Sequence, residues 1–362
     1  MRRRGHGASD ASSSSSVTHP MDTKRRLKIG IAGLGRLGRR HAENLAQRTP
    51  RAQLVAACSP VAEELAWAAQ QLGIAHCYGE YAAMLADPDV EAVFLVTPTT
   101  LHAAQIIEGL EAGKHVFCEK PLSLDIVDCA RVQREAAGRP ELKVMIGYGR
   151  RFDPSYRDAY DKIQAGLIGA PFLVRSQNLD MNDPSGFFVR FAPTSGGIFL
   201  DCTVHDIDLA RWFLGNPRPL RVFAAGTVAI HTGLREFGDV DNGVATCEFD
   251  GGKLACFYAS RTMAHGHETA TEIFGTGGRL TVGANPRLDR VDISDAHGVR
   301  NECTPTFYER FEAAFLHEIA HFVDAVLDDR APALTLHDAT EATRIALALR
   351  ESLQSRRVIE LD

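Results

Sequence analysis

No run of this 362-residue chain is apolar for long enough to cross a bilayer, which excludes a helical membrane span. The eight cysteines include no Cys-x-x-Cys pair and sit mostly within apolar segments. That distribution argues against a disulfide frame or a zinc site and reads as reduced thiols of a cytoplasmic protein. There is no internal repeat and no inserted low-complexity linker, so stacked-repeat architectures fall away. Basic charge is scarce in the body of the chain. Residues 1–26 carry a net of +4, which leaves −10 for the rest of a chain whose total is −6. An acidic body lacks the phosphate-contacting surface that a nucleic-acid partner requires. Those first 26 residues also have almost nothing to bury. Arg2-Arg3-Arg4 precedes a Ser12–Ser16 run, and a disordered tail with no specific partner is expected. The arginines lack the hydrophobic stretch of an export signal, and Met21 stands as an alternative start.

What is present is ordinary globular composition, 45% apolar and 24% charged, at a length that favours two domains. Leu27–Ala32 reads as a buried strand, followed at once by Gly33-Leu34-Gly35-Arg36-Leu37-Gly38 and then a helical pattern through His41, Ala42 and Leu45. In this dinucleotide signature Gly33 permits a tight turn, Gly35 lets backbone approach a pyrophosphate, and Gly38 allows close helix–strand packing. The diphosphate is expected on the loop of Gly33, Gly35, Arg36, Leu37 and Gly38, over free N–H groups at the helix start.

Strands and helices then alternate to residue 147: strands at 54–58, 92–96, 115–118 and 144–147, with helices at 63–72 and 101–112. Alternation of this kind implies a doubly wound parallel sheet, a Rossmann domain over 27–147. Ligands of such sheets lie beyond the carboxyl ends of the strands, where Thr97, Pro98 and Glu119-Lys120-Pro121 fall. From residue 148 to 335 the strands become longer and amphipathic, at 172–179, 220–231, 243–250, 252–260, 270–275 and 288–294. They predict an α+β domain with a large, mostly antiparallel, open-faced sheet. Helices are expected near 154–165, 198–214 and 307–328, and a last one over 336–354, within a 336–362 segment that returns to the first domain.

Four motifs together carry a resemblance. The glycine loop with Arg39-Arg40-His41-Ala42-Glu43-Asn44-Leu45, the Glu119-Lys120-Pro121 triplet, Arg150-Arg151-Phe152-Asp153, and Asp201-Cys202-Thr203-Val204-His205 resemble the glucose–fructose oxidoreductase/inositol dehydrogenase (Gfo/Idh/MocA) family. The likeness runs from about Leu27 to the end and is nearest the inositol 2-dehydrogenase branch. It implies oxidation of a secondary hydroxyl of a cyclic polyol to a ketone, with NAD or NADP, by a homodimer or homotetramer formed through the second sheet. By the same resemblance His205 is the base, Asp201 orients it, and Lys120 donates to the reacting oxygen. Glu119 anchors that lysine and the cofactor ribose, a cis peptide precedes Pro121, and His102 lies near the nicotinamide ribose. Arg150 and Asn178 fall where the branch contacts its polyol.

Plain structural readings compete at several of these positions. Asp and His at i,i+4 are usually a solvated helix face, and His102 is equally a helix-start residue facing water. Arg151 reads as structural, paired with Asp153. His265-Gly266-His267-Glu268 does not make a metal site; His267 contacts substrate, or the loop is simply polar. Nearest relatives carry aromatic residues here, so the polyol's identity stays open. The end of the second strand gives Cys58-Ser59-Pro60 in place of the expected acid. Ser59 suits a ribose hydroxyl without repelling a 2′-phosphate and Arg36 suits that phosphate, which leaves NADP open; the Gly-Arg-x-Gly loop resembles that of NAD-using inositol dehydrogenases, so NAD is preferred. A sugar dehydrogenase, a keto-sugar reductase and a non-catalytic cofactor-bound sensor are the remaining functional readings.

Overall fold

The computed structural model describes residues 25–283 and 286–361, so residues 1–24 of the expected tail lie outside the described residues. The first half alternates β1 (Leu27–Ala32), α1 (Arg36–Glu43), β2 (Ala52–Cys58), α2 (Ala62–Leu72), β3 (His76–Tyr78) and α3 (Tyr81–Leu85). It continues through β4 (Ala92–Leu95), α4 (Thr99–Glu111), β5 (His115–Glu119), α5 (Ile126–Ala137) and β6 (Val144–Gly147). The six strands form one parallel sheet in the order β3-β2-β1-β4-β5-β6, the doubly wound arrangement with its crevice between β1 and β4. Every residue of β4 and β6 is buried, as strands covered on both faces must be. Strand β3 escaped the sequence reading because three residues give no periodicity to detect.

The second half runs α6 (Pro154–Gln164), β7 (Pro171–Met181), α7 (Phe187–Ser195), α8 (Val204–Phe213), β8 (Pro219–Thr227), β9 (Asn242–Phe249), β10 (Lys253–Met263), β11 (Glu268–Gly275) and β12 (Gly278–Val282). After a small hairpin of β13 (Ile293–Asp295) and β14 (Gly298–Arg300) come α9 (Phe307–Leu327), α10 (Leu336–Ser355) and β15 (Ile359–Glu360). Seven strands form the second sheet in the order β12-β11-β7-β10-β9-β8-β15, antiparallel except for β7 beside β10. The expected strand at 288–294 does not join it: that segment leads into the separate hairpin. In β9, Ala245, Cys247 and Phe249 point inward and Val244 outward, the alternation of a sheet covered on one face.

Two long helices tie the halves together. On α9, Ile319, Phe322 and Val323 are fully buried against the first sheet. The Phe322 ring meets Phe94 edge-on at 5.4 Å and Phe117 at 5.8 Å, while those two stack at 4.5 Å. Helix α10 packs on α8 and β8 and reaches α5 of the first half. Apolar closure on both sheets thus fixes the carboxyl end of β5 against the start of α8.

Candidate active site

The glycine loop is shaped by contacts that exclude side chains. A Cβ on Gly33, at φ +89°, would lie 2.4 Å from the Val96 carbonyl, and one on Gly38 would lie 2.0 Å from the Gly33 carbonyl. Around Gly35, at the N-cap of α1, no atom lies within 4 Å of such a Cβ. The loop therefore packs tightly against strand and helix while its outer side stays open over the first N–H groups of α1. Leu34 is buried and Leu37 half-buried beneath it.

Several sequence expectations are redirected here. The Arg36 guanidinium lies over the rings of Phe187 and Phe307, 5.5 and 5.6 Å from their centroids. It is thus held by aromatics of the second half. The Ser59 hydroxyl, expected to meet a ribose, is buried: it donates to Glu64 at 2.6 Å and accepts the Val61 N–H. His102 neither faces water nor offers a free nitrogen to a ribose. It is 1% exposed, with Nδ1 at 2.8 Å from the Pro121 carbonyl and Nε2 at 2.9 Å from that of Thr97. Burial pulls its pKa below the ordinary imidazole value. A neutral ring has one N–H, so His102 donates to only one of these carbonyls at a time while it sits between the ends of β4 and β5. Thr97 donates its hydroxyl to Gln105, and Pro98 caps α4. The peptide before Pro121 is cis.

Glu119 does not hold the Lys120 ammonium, contrary to expectation. One carboxylate oxygen meets Nε2 of buried His41 at 2.8 Å, and the other accepts the backbone N–H of Lys120 at 3.2 Å. The ammonium instead reaches across to the second half, donating to the main-chain carbonyl of Asp201 at 2.7 Å with the carboxylate 3.6 Å away. Asp201 belongs to a π-helical turn, Phe199–Thr203, that leads into α8. No hydrogen bond joins Asp201 to His205, so its expected orienting role is not what the geometry provides. The wider turn breaks the i,i+4 alignment, and the Asp201 carboxylate is taken by fully buried Arg261 at 2.9 Å. Arg261 also bonds Asp239 at 3.0 Å. Lys120, Asp201, Arg261 and Asp239 form one chain of alternating charge.

His205 sits on the first turn of α8, partly exposed, with Nδ1 buried and unpartnered. Tyr148 meets its ring edge-on at 5.9 Å. Burial, and then the charges of Lys120, Arg150 and His267, hold its pKa well below the ordinary imidazole value. The first half's ammonium and the second half's imidazole are thus electrostatic neighbours. Beneath them, the inward face of β7 and β11 turns from apolar to polar towards the cleft. Val174 faces Ile273, Ser176 faces Thr271, Asn178 faces Thr269, and beyond the last pair His267 Nδ1 meets Asp180 at 2.8 Å. Asn178 donates to the Cys202 carbonyl and keeps a buried, unpartnered Oδ1. Arg150 bonds Asp206 at 2.9 Å under the Phe311 ring. Arg151 pairs not with Asp153 but with Asp208, through two bonds of 2.6 and 2.8 Å, while Asp153 caps α6 and bonds Arg310. His265 and His267 do not converge: the first goes to Glu268, the second to Asp180.

Residues 27–148 match the family model described as "Oxidoreductase family, NAD-binding Rossmann fold", and residues 156–281 match the "GFO/IDH/MocA C-terminal domain". The chain is 34% identical to the scyllo-inositol 2-dehydrogenase (NAD(+)) of Bacillus subtilis, over 94% of this chain and 97% of that one. It belongs to the Gfo/Idh/MocA oxidoreductase family. Myo-inositol 2-dehydrogenase of Thermotoga maritima is 33% identical over 93% of this chain and 99% of its own. A crystal structure of scyllo-inositol dehydrogenase from Lactobacillus casei with NAD(H) and scyllo-inositol bound superposes with a TM-score of 0.89 at 38% identity, covering 93% and 99% of the two chains.

As a family member this chain is an NAD-dependent oxidoreductase, and the glycine cradle fits that cofactor: Gly33 and Gly38 leave no room for a Cβ, while Gly35 faces open space. All eight cysteines are free thiols, and among the described residues no helix is long and apolar enough to cross a membrane. Arg261, Asp239, Asp180 and His41 are site neighbours that sequence reasoning missed. Arg261 left one signal: it shares the inward face of β10 with Ala255, Phe257 and Ala259, where a charge demands partners.

Proposed function

We propose that this enzyme oxidises a secondary ring hydroxyl of an inositol-like cyclic polyol to a ketone. The observation that supports the reading is that Lys120, from the end of β5, donates to the Asp201 carbonyl four residues before His205 at the start of α8, beside the polar side chains that β7 and β11 pair. Relatives named for scyllo- and myo-inositol oxidation, similar over nearly their full length, support the substrate class. When bound, NAD supplies the two-electron acceptor for the carbinol carbon. His205, whose pKa burial and neighbouring cations lower, takes the hydroxyl proton at Nε2, its Nδ1 being buried. Lys120, aligned by Asp201, donates to the same oxygen as negative charge develops there. Asn178, Arg150 and His267 would orient the remaining hydroxyls. The outward face of the second sheet exposes Phe172, Phe223, Val244 and Leu254, and we assign it to contact with a second copy of the chain.

The test is reduction of NAD in the presence of a panel of inositols and, separately, aldoses. Turnover with at least one inositol is expected, with a loss of about 100-fold or more in Lys120→Ala and in His205→Ala. Undiminished turnover in either variant removes the mechanism, and oxidation of aldoses alone removes the substrate class.

A further inference from the structure

The first sheet carries an unusual solution at the adenosine end of the cofactor site. In this fold an acid at the end of β2, roughly 20 residues beyond the glycines, bonds the ribose 2′-hydroxyl. Here that position holds Ser59, whose hydroxyl is buried and spent on Glu64 and the Val61 N–H. We propose that Glu64, drawn from α2 to the end of β2 by the Ser59 hydroxyl, reads the adenosine ribose and makes the enzyme select NAD over NADP.

Three observations carry this. The Ser59 bond to Glu64 is 2.6 Å and occupies one carboxylate oxygen, while the other has no hydrogen bond among the described residues. Glu64 is only partly buried, so that second oxygen is available to a ligand at the strand end. The surroundings are acidic. Glu63 precedes it in the first turn of α2, and Glu80 lies near enough to add to burial in pushing the Cys58 thiol up to about 11.

Among the described residues, neither arginine of the neighbouring glycine loop and α1 start is paired with these groups. Arg36 lies over Phe187 and Phe307. Arg39 lies over the Trp67 ring at 4.9 Å and donates Nε to the Leu34 carbonyl. A carboxylate accepts from a 2′-hydroxyl but repels a 2′-phosphate, so the arrangement acts by exclusion as much as by attraction. Among the described residues, Arg39 is a group that could reverse this by turning to a phosphate.

Calorimetric titration with NAD and with NADP, without polyol, tests the proposal apart from the identity of the substrate. The wild type is expected to bind NAD at least about tenfold more tightly than NADP, a difference of about 1.4 kcal/mol. Glu64→Gln keeps the acceptor for Ser59 and loses the charge, and should narrow that ratio by about tenfold. Ser59→Ala, which frees Glu64 from the strand end, should narrow it in the same direction, and Glu63→Gln, which leaves the carboxylate held by Ser59 in place, should narrow it by less than Glu64→Gln does. Equal or tighter NADP binding by the wild type would overturn the proposal, the more so if Arg39→Ala then weakened NADP alone. An unaltered ratio in Glu64→Gln would overturn it as well.

Discussion

Arg261 has no solvent-exposed surface, yet its guanidinium spans Asp201 and Asp239 while lying 5.3 Å over the Phe188 ring. Asp201 in turn holds Lys120, so the arginine acts on the reacting centre through two other residues. A lysine cannot reproduce the planar fork that serves two carboxylates, and a buried carboxylate left without its partner is costly. Arg261→Lys is therefore expected to lower kcat by about tenfold or more through misalignment of Lys120. NAD affinity, which rests on the glycine loop, should stay within about twofold; calorimetry and steady-state kinetics separate the two. A purely structural role would lower both together. At this scale motif resemblance pointed to the proposed reacting pair, and the sequence concealed what surrounds it. Lys120 and His205 belong to recognisable motifs, whereas Arg261, Asp239 and Asp180 are isolated residues brought in by sheet register. His102, Ser59 and Arg36 misled because spacing shows proximity to the cofactor end without showing which acceptor or ring claims each side chain first.

The element that most exceeds what periodicity discloses is α9. Its apolar spacing predicts a helix over 307–328, which is what forms, but no pattern says that it covers the first sheet and not the second. That destination buries Glu318 completely beside Gly149 and within the field of Glu119, with neither carboxyl oxygen hydrogen-bonded. Burial first, and the Glu119 charge second, hold its pKa well above the ordinary carboxyl value, so the folded protein keeps the proton to higher pH than the unfolded chain does. The unfolded chain loses it near 4.5, so the folded state is penalised increasingly as pH rises from there to the folded pKa. The penalty grows by about 1.4 kcal/mol per pH unit. Glu318→Gln, which cannot ionise, should melt higher than the wild type at pH 7 and show little advantage at pH 4. An advantage that did not change with pH would contradict this account, and melting curves across that range decide it.

For the molecule as a whole, alternation of strand and helix followed by longer amphipathic strands disclosed both layers. The closing of one upon the other rests on long-range packing that no local pattern encodes. One consequence of that packing is a set of imidazoles held neutral. His102, His115, His205 and His321 all have pKa values lowered from 6.5, with burial the largest cause in each. Because the unfolded chain takes up these protons first, stability rises with pH through this window. It is fully present above about 6.5 and is lost progressively as pH falls towards the depressed folded values. On the proposed mechanism His205 contributes to both stability and reaction, since the nitrogen from which folding excludes a proton is a site that would accept one from substrate. The acid limb of kcat/KM is accordingly expected below 6.5, not at it. His205→Asn removes one titrating group from the folded core, so its melting temperature should fall less steeply than that of the wild type between pH 6.5 and 5. Parallel melting profiles, together with an acid limb at the ordinary imidazole value, would mean that His205 is neither closed off nor the base, and the cleft between the halves would have to be more open to water than its buried Nδ1 indicates.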